Sequence, residues 1–380
     1  MPSICRNCYV TLSQSGITTG DKSYSPNKEC SLCEGMWDRL ELLAYRSLQT
    51  LYQRKYEWNS FWVAIRFAGG VDEGRKLLRS YIKSALRTKL TDIISNDAKR
   101  AARKDSPDIL ITIGPNHKTE VFSAPLFIKG VYQKRLAGIS QSKWICQKCA
   151  GRGCFECDFT GRYYALSVQE LIGYPAAHLF QAAGYYLHAA GREDVDVTVE
   201  GHGRPFVLEL TDPRLRGLNL KQVEKYINKY SAGLVSVKLV EYGTARDREI
   251  VKRAENHYKM YLGTIRFRDE VDDKELLVLT SKLSGATIAQ RTPFRVLRRR
   301  ADLIRRKYIK SFSIVPLNRR TAKFEVVCEG GTYVKEFISG DDGRTSPSVS
   351  EILGIQSVCT ELRMLGVMVE SDKNKGFEKP

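Results

Sequence analysis

The sequence predicts an α+β protein of several domains, and three observations carry that reading. Its 380 residues exceed a single ordinary domain of about 100 to 200 residues. Hydrophobic residues make up 42% and aromatic residues 10%, enough apolar surface for real cores and too much for a solvated tail. Helical periodicities come first and then mix with short strand-like runs, without the regular alternation of a parallel doubly wound sheet, so the sheets should be mixed or antiparallel.

Residues 1–35 hold the pairs Cys5/Cys8 and Cys30/Cys33 around a Gly-, Ser- and Thr-rich link with no apolar period, as expected of a small metal-nucleated knob. From Met36 to Tyr56 the residues Met36, Leu40, Leu43, Leu48, Leu51 and Tyr52 recur at three to five positions, one face of a helix. A second helix is expected from Asp72 to Arg103, burying Leu77, Tyr81, Ile82, Leu86, Leu90 and Ile93 and presenting basic residues elsewhere. Strand-like runs at Ile109 to Ile113 and Val121 to Ile128 complete an α+β domain over 36–145. Residues 146–165 carry the remaining pairs, Cys146/Cys149 and Cys154/Cys157.

A larger α+β domain follows over 166–370, with a polar, disordered tail at 371–380. It opens with Ser167 three residues before Glu170, a capping box, and a helical pattern that runs past Pro175 to a stop at Gly191. Strands are expected at Asp194 to Val199, Phe206 to Leu210, Leu234 to Tyr242, Tyr258 to Phe267, Phe324 to Cys328 and Leu362 to Val369. Helices are expected at Leu220 to Tyr230 and Arg246 to Asn256.

Charge and cysteine content narrow the function. Sixty-one Lys plus Arg against 43 Asp plus Glu leave a net charge of +18, which favours a polyanionic partner. The chain lacks a signal-peptide pattern and any apolar run long enough for a bilayer, so a soluble, cytoplasmic protein without membrane partners is expected, most simply a monomer. In a reducing compartment, eight of ten cysteines in four CxxC pairs point to metal rather than disulfides. A structural Zn²⁺ wants four thiolates at about 2.3 Å in a tetrahedron, so the quartets Cys5, Cys8, Cys30, Cys33 and Cys146, Cys149, Cys154, Cys157 offer two sites. No CxxC sits in a thioredoxin-like βαβ pattern, and Cys328 and Cys359 read as core.

The string AGREDVDVTVEGHGRPFVLEL places Arg192, Glu193, Asp194 and Asp196 between a helix end and a strand, flanked by glycines. One reading is a solvated turn with Arg192 and Asp194 paired at the surface; the other is a reactive carboxylate in a basic protein. Arg291, Arg295, Arg298, Arg299, Arg300, Arg305, Arg306 and Lys307 form a run with only Asp302 opposing them in sequence, better suited to phosphate than to i,i+4 pairing.

GREDVDV followed by GRPFVLEL resembles the active-site motif of the Pus-ten family of archaeal and eukaryotic tRNA pseudouridine synthases. SPDILITI, FIKGVYQKRLAGISQSKW and CQKCAGRGCFECDFTG with SVQELI are similar to that family's THUMP-type RNA-binding domain and its connection to the catalytic domain. QRTPFRVLRRRADLIRR and GGTYVKEFISGDDGRTSPSVSEILG are similar to its later motifs. Five such places in the same order cover most of the chain. Thr198 stands where the family pattern has Arg, and Arg298 where it tends to have His. CQKCAGRG also resembles one zinc repeat of the DnaJ co-chaperones, but the chain has no His-Pro-Asp tripeptide of a J domain.

The resemblance implies a zinc-containing THUMP-like RNA-binding domain followed by a pseudouridine synthase catalytic domain that acts on the T loop of tRNA without an organic cofactor. It implies that Asp194 is the catalytic aspartate, that Lys335 pairs with it, that Tyr261 stacks on the flipped base and assists proton transfer, and that Ile338 is the apolar floor. Arg192, His202, Arg204 and the 291–306 arginines would contact RNA, the latter near a thumb-like loop at 285–307. The first domain would then gauge the distance from the acceptor end of tRNA to the T loop. The competing class is a non-catalytic zinc-containing tRNA-binding or chaperone protein; charge and cysteines fit it equally, and only Asp194, Tyr261 and Lys335 together separate the two.

Overall fold

The computed structural model describes residues 3–17, 23–24, 30–68, 73–94, 101–102, 107–253, 257–297 and 300–368. The chain divides into two compact units: Met1–Leu126 with Ala177–Gly184 and Leu210–Leu218, and Phe127–Ala176 with Tyr185–Glu209 and Asn219–Pro380.

The first unit contains β1 (Ser3–Ile4), α1 (Arg6–Gln14), β2 (Ser23–Tyr24), α2 (Leu40–Arg54), β3 (Ser60–Ile65), α3 (Glu73–Ile94), β4 (Ala101–Ala102), β5 (Ile109–Ile113) and β6 (Thr119–Ser123). A four-stranded sheet in the order β4-β3-β5-β6 is parallel except for the β5/β6 hairpin. Leu43, Leu48 and Leu51 of α2, Phe61, Val63 and Ile65 of β3, and Ile109, Ile111 and Ile113 of β5 share one buried core. The stripe α3 adds to it is Leu78, Ile82, Leu86, Leu90 and Ile94, four apart throughout. Ile82, Leu86 and Leu90 are buried as expected, whereas Tyr81 is exposed and Leu77 and Ile93 are only partly buried, because Leu78 and Ile94 complete the stripe in their place. The expected helix continues to Arg103; the described one ends at Ile94, and Lys99, Arg100 and Arg103 lie outside the described residues. The returning segment is tied in by Tyr56, whose hydroxyl donates to Asp212 at 2.7 Å, and by Glu57, which accepts from the Arg216 and Gly217 amides at 2.6 and 3.1 Å.

The second unit is built on β7 (Leu126–Lys134), α4 (Val168–Phe180), β8 (Gly184–Ala189), β9 (Thr198–Thr211), α5 (Leu220–Tyr230), β10 (Val235–Gly243), α6 (Ala245–Arg253), β11 (Tyr258–Phe267), α7 (Asp273–Leu283), β12 (Thr287–Arg291), β13 (Ile304–Asn318), β14 (Thr321–Cys328), α8 (Val334–Ser339), β15 (Thr345–Ser346), α9 (Val349–Leu353) and β16 (Ser357–Met368). Its ten-stranded sheet runs β10-β7-β9-β16-β11-β14-β13-β12-β15, with β8 on β9. The β9/β16 pair is parallel, at Thr198↔Arg363 and Val199↔Met364, whereas β16/β11, β11/β14 and β14/β13 are antiparallel, so the sheet is mixed. Packed on it, Leu276, Leu279 and Leu283 of α7 and Phe337 and Ile338 of α8 meet Phe312, Phe324 and Val326 in the main core of this unit.

Three local expectations change. The run Val121 to Ile128 is two strands, β6 and β7, in different sheets, and β7 joins the second unit although 127–145 was expected in the first domain. Ser167 caps the helix, its Oγ accepting from the Glu170 amide at 3.2 Å and donating to Glu170 Oε2 at 2.7 Å, but α4 stops at Phe180 and Gly184–Ala189 form β8. Aromatic Tyr185 and Tyr186 favour extended backbone there, and Tyr185 fills space that a Cβ at Gly173 would occupy. Finally, Asp194 is not in a strand: the Val197 amide closes a turn on the Asp194 carbonyl at 3.1 Å, and β9 begins only at Thr198.

Candidate active site

The segment 191–197 leaves β8 through Gly191, whose φ of +82° suits glycine and where a Cβ would lie 2.6 Å from Lys259 Nζ. Its side chains then divide. Glu193 turns inward and is 6% exposed, bound to Arg204 Nε at 2.9 Å and accepting from the Tyr132 hydroxyl at 2.9 and 3.0 Å and from Gln141 at 3.2 Å. Arg204 is completely buried and also donates to the Ala190 carbonyl at 2.6 Å. It therefore presents no surface of its own for the RNA contact expected of it. A guanidinium whose donors are absorbed inside the protein has none for phosphate. Burial pushes the Tyr132 phenol well up, and the Glu193 charge adds to it, so this hydroxyl stays a donor.

Asp194 points the other way. Its Oδ2 lies 2.8 Å from an Arg295 guanidinium nitrogen, and the same guanidinium bonds Glu336, Nε to Oε1 at 2.6 Å. Glu336, on α8, is 5% exposed, so it fixes Arg295 from within. Burial works against the Arg295 charge, but the two carboxylates more than offset it and hold its pKa above the ordinary range. Lys335, one residue earlier on α8, does not pair with Asp194; its ammonium bonds Asp196 instead. Despite partial burial, that contact holds the Asp196 carboxyl below the usual range. Arg192 is exposed, with its guanidinium 4.6 Å over the Trp144 ring.

Tyr261 sits on β11 opposite Val326 and Met364, partly buried, with burial pushing its hydroxyl above the usual tyrosine range and the Glu193 and Asp194 charges contributing. Ile338 is fully buried in the α8 core. The arrangement thus holds one ionisable carboxylate beside a fixed cation, with a neutral phenol within electrostatic reach.

Both cysteine quartets converge, the four sulfurs of each lying within 4.8 Å of one another. A tetrahedron with metal–sulfur bonds of about 2.3 Å has edges of about 3.8 Å. The sulfur pairs Cys146/Cys154, Cys149/Cys157 and Cys154/Cys157 are 3.8, 3.9 and 3.7 Å apart, and Cys5/Cys33 3.7 Å. Backbone amides of Gly153, Cys154 and Gly161 aim at Cys149 and Cys157 sulfurs at 3.2 to 3.3 Å, which favours thiolates. The donor set and spacing fit a tetrahedral metal ion in each quartet.

Residues 127–368 match the family model described as Pus10, C-terminal. The chain belongs to the Pus10 family. It is 36% identical over 375 residues to the tRNA pseudouridine synthase Pus10 of Archaeoglobus fulgidus, covering 96% of this chain and 99% of that protein. It is 44% identical over 285 residues to the Korarchaeum cryptofilum protein of the same name, covering 74% and 76%, and 36% identical over 371 residues to that of Methanococcus voltae, covering 92% and 69%. Among solved structures, a chain of a Cbf5-Nop10-Gar1 complex is 16% identical, with a TM-score of 0.32 over 52% of this chain and 42% of its own.

Within this Pus10 chain the basic run is less free than its sequence implies. Arg291 pairs with Asp302 at 2.9 Å, and Arg344 also bonds Asp302. Arg305 donates to Thr292 Oγ1 at 3.1 Å, Arg300 to the Tyr333 hydroxyl at 3.2 Å, and Lys307 lies 3.1 Å from Glu329. Arg291, Arg300 and Arg306 remain exposed, as does His202, whereas Arg298 and Arg299 lie outside the described residues. Arg305 and Arg306 stand on β13 rather than in a loop. Sequence reasoning missed Glu336, Tyr132, Gln141 and Lys134. The available signal was alternation: β7 buries Ile128, Gly130, Tyr132 and Lys134, which puts a lysine at an inward position. No helix among the described residues is long and apolar enough to cross a membrane.

Proposed function

We propose that this Pus10 chain isomerises uridine to pseudouridine in the T loop of tRNA, at position 54, 55 or both. The bond from uracil N1 to ribose C1′ breaks, the base turns, and C1′ rejoins at C5. The C5 proton departs and N1 gains one, so the net change is an isomerisation without co-reactant. Asp194 supplies the carboxylate at the ribose, as nucleophile or as base. The observation that carries this reading is the Asp194–Arg295–Glu336 arrangement, in which a half-exposed carboxylate in a protein of net charge +18 is aligned by a cation that is itself fastened from inside. Tyr261 offers a ring for the flipped base and a neutral phenol for proton transfer. Ile338 supports α8 from the core as the apolar floor, and Lys335 acts through Asp196. Exposed Arg192, His202, Arg291, Arg300 and Arg306 would meet tRNA phosphates, as would Arg298 and Arg299. The first unit is the THUMP-like tRNA-binding part. Zinc in both quartets would hold Cys5, Cys8, Cys30, Cys33 and Cys146, Cys149, Cys154, Cys157 in place and contribute to folding. A cytoplasmic monomer suits this role.

The test is incubation of purified protein with an unmodified tRNA transcript, followed by pseudouridine mapping. Asp194→Asn should keep tRNA affinity or raise it, while conversion falls well beyond the roughly 10²–10⁴-fold expected from losing an acid–base helper alone. Conversion by the variant at the wild-type rate would remove Asp194 from the chemistry. Wild-type protein that binds tRNA but makes no pseudouridine at either position would leave the binding-protein reading.

A further inference from the structure

Lys134 is completely buried, yet its ammonium is surrounded by backbone rather than by an ion-pair partner. Its Nζ donates to the carbonyls of Ile139 at 2.9 Å, Val195 at 3.0 Å and Asp194 at 3.2 Å. An ammonium has three N–H donors, and these three acceptors use them all. Two of the three belong to the residue that carries the proposed catalytic carboxylate and to its successor.

The same short stretch of chain reaches the rest of that loop. Gly138 donates its amide to the Val195 carbonyl at 3.0 Å. Gln141 donates to the Gly191 carbonyl at 2.9 Å and to the Tyr132 hydroxyl at 3.0 Å, and Tyr132 in turn binds Glu193. Residues 132–141 therefore take hold of positions 191, 193, 194 and 195 from the buried side, leaving the Asp194 carboxylate facing Arg295. Burial lowers the Lys134 pKa while the Glu193, Asp196 and Asp194 charges work the other way, so the site holds a cation at a real desolvation cost. A core that needed only to be filled would be served by methionine at this position.

We propose that Lys134 is a positioning residue, assisted by Tyr132, that fixes the backbone of the 191–195 loop so that Asp194 meets the ribose in reactive alignment. The inference rests on the reading of Asp194 given above, but one of its tests does not. Lys134→Met keeps the length of the side chain and removes all three donors, and the freed carbonyls of Asp194 and Val195 each retain one backbone amide, from Val197 and Gly138.

Hydrogen exchange measured on wild-type and Lys134→Met protein should show faster exchange at residues 191–197 and at Gly138, whose amide is held by the Val195 carbonyl, with the rest of the sheet unchanged. That readout needs no activity, and identical exchange in this loop would overturn the proposal. Single-turnover conversion of the tRNA transcript should fall about 100-fold, the scale expected when a reacting group is misplaced by about 1 Å, while tRNA affinity stays within about twofold of wild type. A rate within about threefold of wild type, or a loss of affinity that accounts for the loss of rate, would also overturn it. Should Lys134→Met fail to fold, Tyr132→Phe takes its place: it removes one hydroxyl from Glu193 and should slow conversion without weakening binding, and an unchanged rate would count against the clamp. Wild-type protein that makes no pseudouridine refutes the T-loop reading separately, leaving the exchange comparison to decide the role of Lys134.

Discussion

Asp194 and Lys335 do not pair, although a basic partner for the aspartate was expected at that position. The planar guanidinium of Arg295 spans two carboxylates, Asp194 and Glu336, with separate N–H groups, which a compact ammonium does not do with the same geometry. Arg295→Lys should therefore keep the charge and lose the alignment. We expect conversion to fall about 10- to 100-fold with tRNA affinity nearly unchanged, and a smaller loss for Lys335→Met, whose direct partner is Asp196; single-turnover kinetics on the two variants would decide the order. Arg204 makes the opposite prediction. Its ion pair with Glu193 is sealed from solvent, so Arg204→Met leaves a buried carboxylate without its cation and should cost about 3–5 kcal/mol in urea denaturation. The slope of tRNA binding against salt should not change, because Arg204 touches no solvent and hence no phosphate.

At the scale of an element, the knuckle over residues 146–161 shows how little chain suffices when a metal supplies the core. Gly161 has a φ of +72°, and a Cβ there would lie 2.3 Å from the Gly151 carbonyl oxygen, a backbone atom that cannot swing aside. Its amide also serves the Cys157 sulfur. Purified protein should carry close to two zinc ions per chain by elemental analysis, and Cys149→Ser or Gly161→Ala should bring the ratio close to one and lower the melting temperature. A ratio near zero in folded wild-type protein would reject metal in both quartets. Helix α8 works differently. Its six residues place Lys335 against the Asp196 carboxylate, Glu336 against the Arg295 guanidinium and Ile338 into the core, so the element that aligns the site is itself anchored by packing.

For the whole molecule, the excess of positive charge sets affinity and its sensitivity to salt. Several arginines of the 291–307 segment are engaged with Asp302, Thr292 or Tyr333, so fewer cations face RNA than the sequence offers. A triple change of Arg298, Arg299 and Arg300 to Gln should weaken tRNA binding and flatten the dependence of log K on log salt, with the fold intact; an unaltered slope would mean that these residues do not meet phosphate. Because the charge of the rest of the chain remains, weak binding should persist at low ionic strength.

The sequence by itself determined what depends on near neighbours in the chain. The quartet at 146–157 was legible because its ligands come in tight turns, strands β5, β10, β11 and β14 because apolar residues alternate or cluster, and α5 because its stripe repeats at helical spacing. The loop carrying Asp194 was legible as a motif, in glycines and acidic residues that sit oddly in a basic protein. Tertiary structure alone decided which carboxylate meets which cation. It turned Arg204 inward, moved the partner of Asp194 from Lys335 to Arg295, assigned β7 to the larger sheet, and set a buried lysine beneath the loop. Charge acts over a few ångströms in space without regard to separation along the chain, and the inward or outward sense of a strand residue follows from its sheet partners, so neither leaves a local trace that the sequence alone could display.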